Sequence, residues 1–316
     1  MYKLQQLFLL PDYLLYGIIS LYGSDKLPIE SEITMSEFII CTDSSADLSL
    51  DYAKENNIEI VPFYVTLNGT DYLKENVDLS YDDFYNALRE GVIPKTSCPS
   101  VNDYCEVFKR AVDNGKNVLC ICISSKLSGS YQSAYNASLE FNEGEQRVLV
   151  IDSLLVAGLQ GLLVNEALRM KNNGLDFKAV YDKLNEIKTT GQVDFILDDL
   201  TYLQKGGRIG KVSALVGTLL NIKPVIKVKD GELLPTAKIR GRKKAAAEIK
   251  KIAGEIYEKY GNTYAYGIIN FPQTGDVDGL SETFKEAVPT FFIGSTIGSH
   301  VGTSAAGIAY IKRYEG

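Results

Sequence analysis

The sequence predicts an α/β protein in two parts: a three-layer α/β/α domain built on a parallel sheet, followed by a two-layer α/β domain with a mixed sheet. Two observations carry this. Between residues 38 and 151, short apolar runs alternate with helix-like stretches, which is the rhythm of strands joined by helical crossovers in a parallel sheet. Beyond that, a hairpin pattern over 224–239, turning at Asp230-Gly231, leads into a long helix rather than a crossover, so the order of elements changes. Asn172-Asn-Gly174 lies between the two regimes and marks the expected boundary, giving domains over 35–174 and 175–316. A chain of 316 residues is long enough to fill two such cores.

Taken in order, residues 1–34 differ in pattern from the rest of the chain. The apolar stretches 7–10 and 13–22 are split by Pro11-Asp12, and neither reaches the roughly 20 residues of a membrane span. Only Lys3 precedes the apolar run and no small-residue cleavage site comes after it, so a signal peptide does not fit. The segment reads as an upstream-start artefact or a loosely held arm, with the true start at Met35.

The parallel sheet is expected from strands 38–42, 59–67, 118–123 and 148–151. Asn68-Gly69 predicts a small antiparallel excursion. Ser80 with Asp83, and Ser100 with Asp103, have the spacing of a side chain that caps a helix start. Helices are expected over 154–171 and 177–188. The second part supplies strand 194–197, a Gly-rich loop, an apolar helix over 212–220, the hairpin, a helix over 243–260, and strands 264–270, 290–294 and 308–312.

Composition narrows the function. A net charge of -7 argues against a general nucleic-acid binder. The five cysteines form no zinc pattern and read as reduced packing thiols of a cytosolic protein. One histidine, His300, rules out sites built from several imidazoles.

Ligands of open parallel sheets sit beyond the carboxyl ends of the strands. That edge collects Asp43-Ser-Ser45, the loop Thr96-Ser-Cys-Pro-Ser100, residues 124–130 and Asp152-Ser153. These are hydroxyls and N–H groups with few cations, suited to a carboxylate or phosphate. The centre of the set is the stretch 123–131, a strand running into a Ser/Gly turn and a helix. Free N–H groups at the helix start favour an anion, Ser128 and Ser130 add hydroxyls, and Gly129 removes a side chain that would block approach. A serine cap with no ligand is the competing account. Singly, Ser44 and Ser100 are also explained as caps, Thr96 as a turn residue, and Asp43 and Asp152 as strand-end acceptors.

Lys205-Gly-Gly-Arg-Ile-Gly210 lacks the order of a nucleotide phosphate loop; its glycines end a short helix and leave Arg208 projecting. The basic stretch 238–244, with Arg240 in it, is either a solvated face or a docking patch for an acidic partner. His300 lies among glycines in 297–303. It is structural, part of a binding site, or a base for Ser128 in a hydrolase, although no G-x-S-x-G elbow is present.

Together, Thr42-Asp-Ser-Ser45, Thr96-Ser-Cys-Pro-Ser100, Ser124-Ser-x-Leu-Ser-Gly-Ser-Tyr131, Asp152-Ser153, Tyr202-Leu-x-Lys-Gly-Gly-Arg-Ile209, Ile222-Lys-Pro224 and the loop around His300 resemble the DegV family over 35–316. These are bacterial fatty-acid-binding proteins that serve as the acyl-carrying subunit of fatty acid kinase. The resemblance implies a fatty acyl chain buried between two α/β domains, with Ser128 and Gly129 holding its carboxylate. Thr96 would be a second hydroxyl donor with Ser97 beside it, and His300 would join the head-group network. Arg208 and Arg240 would lie near the exposed head and engage the kinase subunit. Two departures are that Gly302-Thr303-Ser304 stands where the family has Gly-Pro-Gly, and that Cys98 occupies the variable position of its loop.

The implied protein is a cytoplasmic carrier, transiently at the inner membrane surface. It is not an enzyme and has no cofactor or metal beyond its bound long-chain fatty acid. Its partners would be the fatty acid, the kinase catalytic subunit and, through helix 212–220, a membrane surface; that helix alternatively lines the tunnel or simply packs. Nucleic acid is not among the partners, and the acyl phosphate would feed phospholipid synthesis. Burying about 14 to 16 methylenes at roughly 0.8 kcal/mol each gives ~11 to 13 kcal/mol before the costs of association, so the tail supplies affinity and the head supplies orientation. A Ser128/His300 hydrolase acting on acyl esters and a small-anion sensor are the alternatives.

Overall fold

Strand β1 (Phe38–Asp43) is flanked by β2 (Ile58–Val61) and by β6 (Asn117–Cys122), and β7 (Val148–Asp152) lies outside β6; every pairing is parallel. All six residues of β6 are buried, as expected of a strand covered on both faces. The computed structural model describes residues 37–215, 221–271, 277 and 279–315, and these belong to one compact unit, Ser36–Gly316. The expectations for residues 1–34 lie outside the described residues.

Alternation along β1 and β6 sends one set of side chains to each side. Cys41, Val118, Cys120 and Cys122 pack against Tyr104 and Phe108 of the helix Val101–Asp113 and against Ala134 of the helix Ser130–Ser138. Ile40, Leu119, Ile121 and Ile151 face the opposite way, toward Leu159 and Leu163 of the helix Gly158–Asn172 and Leu184 of the helix Phe177–Ile187. The result is three layers. All five cysteines are free thiols. Ser100 and Asp103 form the reciprocal cap that their spacing predicts, and Ser80 accepts from the Asp83 N–H at 3.1 Å.

The strand expected over 59–67 is two strands. Pro62 has no N–H to give to a ladder, and the chain turns there. β3 (Tyr64–Thr66) leaves to form a small antiparallel sheet with β4 (Leu73–Lys74) and β5 (Lys95–Ser97). Thr96, expected in a loop, therefore stands in β5 opposite Val65.

The second sheet runs in the order β10-β9-β8-β13-β11-β12, where β8 is Gln192–Ile196, β9 is Ile222–Lys229, β10 is Glu232–Arg240, β11 is Tyr264–Asn270, β12 is Thr290–Phe292 and β13 is Ala306–Lys312. Its pairs are antiparallel except β11 with β12, so it is the mixed sheet that was expected. The β9–β10 hairpin turns at Asp230-Gly231, both at positive φ (51° and 81°), as a two-residue hairpin turn requires. The long helix Arg242–Tyr260 covers one face through Ala245, Ile249 and Ala253.

The other face of this sheet meets the helix Gly158–Asn172, which also packs on β1 and β6 of the first sheet. A helix with a sheet on either side has no solvated stripe, and eleven of its residues, Gln160 and Glu166 among them, are buried. Of the apolar helix expected over 212–220, residues Gly210–Leu215 form a 3-10 turn, and 216–220 lie outside the described residues.

Candidate functional site

Between the two sheets lies a cavity holding about 910 Å³ of space, part of it open to solvent. Its walls come from both: Ile123 comes directly after β6, Val193 and Phe195 stand on β8, and Ile269 on β11. Most of the lining is apolar. The polar side chains that reach it are Thr96, Ser128, Arg208, Thr296 and His300.

Four of these belong to elements that meet through named bonds. Thr96 Oγ1 on β5 and His300 Nε2 are 3.0 Å apart. His300 was expected in a loop but sits near the end of a short helix, Ser295–Val301. Arg208 donates from Nε to the Leu127 carbonyl at 3.1 Å and from Nη1 to the Gly206 carbonyl at 2.7 Å, tying the turn after the helix Thr201–Lys205 to the 124–130 loop. Ser128 Oγ accepts from the Ser130 N–H at 3.2 Å, and the hydroxyl proton is left to be donated elsewhere. Gly129 is close to Cys98: a Cβ at 129 would lie 3.4 Å from Cys98 Sγ, an ordinary contact distance.

The glycines after Lys205 have separate jobs. Gly207, at φ 72°, ends the helix as predicted. Gly206 is a matter of space, because a Cβ there would fall 2.2 Å from His300 Nδ1. Among the described residues, that buried nitrogen has no hydrogen-bond partner. Burial, and then the Arg208 charge, lower the His300 pKa to about 4, so the ring is neutral near pH 7.

The loop that carries Ser128 is held from beneath by Asp43. One carboxylate oxygen accepts from the Ile123 N–H at 3.0 Å and the Ser130 hydroxyl at 2.7 Å, at the two ends of the loop. The other accepts from Gln160 Nε2 at 3.0 Å and from Ser45 Oγ. Burial pushes the Asp43 carboxyl above its ordinary value, and the four hydrogen bonds oppose that push. Asp152, at the end of β7, accepts from the Ser125 and Leu154 N–H groups at 3.0 and 3.1 Å, which is the strand-end role weighed for it.

Two candidates stand elsewhere. Neighbouring residues on a strand point to opposite faces; Ser97, next to Thr96 on β5, is exposed and outside the lining, with its hydroxyl on the Cys98 carbonyl at 3.4 Å. It leaves the set of head-group donors. Arg240 is exposed at the end of β10 and is not among the lining residues. Among the described residues, the hydrogen bond of His300 goes to Thr96 and none joins it to Ser128, although both line the cavity.

Glu75 was not foreseen at all. Buried in the turn after β4, it accepts from Ser44 Oγ at 2.5 Å, Ser295 Oγ at 3.0 Å, and the Thr296 N–H and hydroxyl at 2.8 and 2.6 Å. It thereby anchors the start of the helix that carries His300. A carboxylate in a polar turn gives no sequence signal of such a role.

Outside the cavity, Lys126, Lys211 and Glu232 border a groove that shares Ser128, Gly129 and Arg208 with it, so the polar end opens to the surface beside cations. Among the described residues no cluster of three or more His, Cys, Asp or Glu could hold a metal, and no helix is long and apolar enough to cross a membrane.

A parallel α/β/α layer and a mixed α/β sheet enclosing an apolar cavity with polar groups at one mouth define a ligand-binding α/β protein. A family model described as an uncharacterised protein of the DegV family matches residues 37–313, and the chain belongs to the DegV family. A DegV domain-containing protein of Staphylococcus aureus is 32% identical over 282 residues, which are 87% of this chain and 97% of the relative. Two solved structures are similar over 88% of this chain. One is a stearic acid-binding protein from Eubacterium ventriosum (TM-score 0.81, 30% identity, 99% of that chain). The other is a DegV family protein from Thermus thermophilus described by its fatty acid binding (TM-score 0.78, 30% identity, 100% of that chain).

Proposed function

We propose that this chain binds a long-chain fatty acid in the cavity between its lobes, 35–174 and 175–316, and presents the carboxylate to a kinase subunit that forms an acyl phosphate for phospholipid synthesis. The observation that carries the reading is the polarity of the cavity along its length. Its apolar walls run to one end where Ser128, Gly129, Thr96 and His300 gather, beside a groove bordered by Lys126, Arg208 and Lys211.

The seat suits a carboxylate. Ser128 has a proton to give, Gly129 leaves its surroundings open, and Thr96 and His300 share a hydrogen bond that an incoming oxygen can join. A neutral imidazole costs less to keep in this setting than a charged one, and a carboxylate close by raises its affinity for a proton. The apolar walls supply affinity and the hydroxyls fix the head, so the protein need not catalyse anything itself. Arg240, outside the cavity at the end of β10, is available to a partner without disturbing the lipid. A carrier of this kind works in the cytoplasm and meets membranes transiently.

The test is denaturing extraction of the purified protein followed by mass spectrometry, then addition of a fatty acid kinase catalytic subunit and ATP to the loaded carrier. A fatty acid near one per chain, converted to acyl phosphate, is the expected result. Protein that neither carries an acid nor takes one up would end the reading.

A further inference from the structure

One wall of the cavity, at Ile269 and Ile293, has a construction of its own. Ile293 stands two residues before the helix Ser295–Val301 that carries His300, just after β12. The Ile293 N–H there bonds to the Asn270 carbonyl at 3.2 Å, beside Ile269. Ile269 and Ile293 both line the cavity.

Behind Ile269 sits the ring of Phe291, its register partner on β12. The ring is 5% exposed and occupies a slot left by three glycines. A Cβ at Gly158 would fall 2.4 Å from Phe291 Cγ and 2.6 Å from Ile269 Cδ1; at Gly161, 2.5 Å from Phe291 Cε1; at Gly267, 2.7 Å from Phe291 Cε2. Two turns of helix and a strand have thus given up their side chains to one ring. A slot made largely of backbone cannot widen as one made of side-chain ends can, so it fixes the ring, and the ring backs Ile269. On its other side Phe291 borders a separate open cleft with Leu48 and Gly294, which shares no lining residue with the cavity.

We propose that Ile269, backed by the Phe291 ring in its three-glycine slot, is the end wall that sets the longest acyl chain the cavity accepts. This rests on the fatty-acid reading and deepens it. A flexible chain entering head-outward meets Ile269 last, and beyond it the ring closes the way to the second cleft. Shortening either side chain moves the wall back by the volume removed, and the surroundings collapse only in part.

The experiment is competitive loading. Purified protein is incubated with an equimolar mixture of myristic, palmitic, stearic and arachidic acids, separated from free acid, and extracted for mass spectrometry. Ile269→Ala and Phe291→Leu should each shift the mean bound length upward by about two carbons, and Phe291→Ala by more if it folds. The ratio of arachidic to palmitic acid should rise about tenfold, which corresponds to ~1.4 kcal/mol. Circular dichroism identifies the folded variants. Folded Ile269→Ala and Phe291→Leu proteins that retain the native length distribution would overturn the end wall while leaving fatty-acid binding intact. A native protein that binds none of the four acids would overturn the underlying reading instead.

Discussion

Thr96 Oγ1 and His300 Nε2 lie 3.0 Å apart although 204 residues separate them in the chain. The contact joins the small antiparallel sheet to the helix that comes after β12, and it stands at the polar end of the cavity. Burial and Arg208 both disfavour the charged form of His300.

The first prediction concerns that ring. The His300 pKa in the native protein is about 4, against an ordinary value of 6.5, so the unfolded chain takes up a proton that the native one refuses. The stability tied to the neutral ring is fully present above about pH 6.5 and is lost as pH falls from there through about 4, by at most about 3 kcal/mol. Asp43 and Glu75, whose pKa values are raised, act in the opposite sense. A local readout is therefore needed, and the chain has one histidine. Its ring proton in a ¹³C-edited NMR titration should move with a midpoint near 4 in lipid-free protein, higher in loaded protein and higher in Arg208→Ala. A midpoint at 6.5 in all three would mean that the ring is open to solvent rather than buried.

Asp43 is predicted to be a large determinant of stability. Asp43→Ala takes from a fully buried position the acceptor of the Ile123 N–H and one of the partners of the Ser45 and Ser130 hydroxyls and the Gln160 amide. The expected loss is about 3 kcal/mol or more, read as a lower urea midpoint. The 124–130 loop should also lose its hold on the head group. A change below about 1 kcal/mol would show that the network does not depend on this carboxylate.

What the sequence made legible was what local chemistry determines. The buried run of β6, the cap at Ser100 and Asp103, and the turn at Asp230-Gly231 each arise from residues a few positions apart. Thr96, Ser128 and His300 were singled out as residues and do line the cavity, yet Thr96 was assigned to a loop because its partner Val65 is far away in sequence. Glu75 and the Phe291 slot stayed hidden for a related reason. A carboxylate in a turn looks solvated until Thr296, 221 residues on, is placed against it. Gly158, Gly161 and Gly267 look like ordinary interruptions until one ring is seen between them.

The slot gives a stability prediction whose sign opposes helix propensity. Alanine favours a helix over glycine by about 1 kcal/mol, so Gly158→Ala in a helix would ordinarily help. Here the added methyl falls 2.4 Å from Phe291 Cγ and 2.6 Å from Ile269 Cδ1, and something must move. Thermal unfolding should show a net loss of roughly 1 to 3 kcal/mol, with partial recovery in Gly158→Ala/Phe291→Leu. Because Ile269 lines the cavity, displacing it inward should also favour shorter acids.

Ser128 is the residue on which the proposed head-group seat turns. Its hydroxyl already accepts from the Ser130 N–H, so its one proton is free for a carboxylate. Ser128→Ala removes both bonds at once, and the two losses are read separately. Loss of the turn bond from the Ser130 N–H should cost about 1 kcal/mol in a urea titration. Loss of a hydrogen bond to a charged oxygen is worth about 1.5 to 3 kcal/mol, which weakens retention of the acid roughly 10- to 100-fold. Transfer of radiolabelled palmitate from loaded protein to acceptor vesicles measures this as an off-rate. If Ser128→Ala released palmitate at the native rate while showing the expected loss of stability, the serine would only brace the turn before the helix, and the carboxylate would have to sit elsewhere along the cavity.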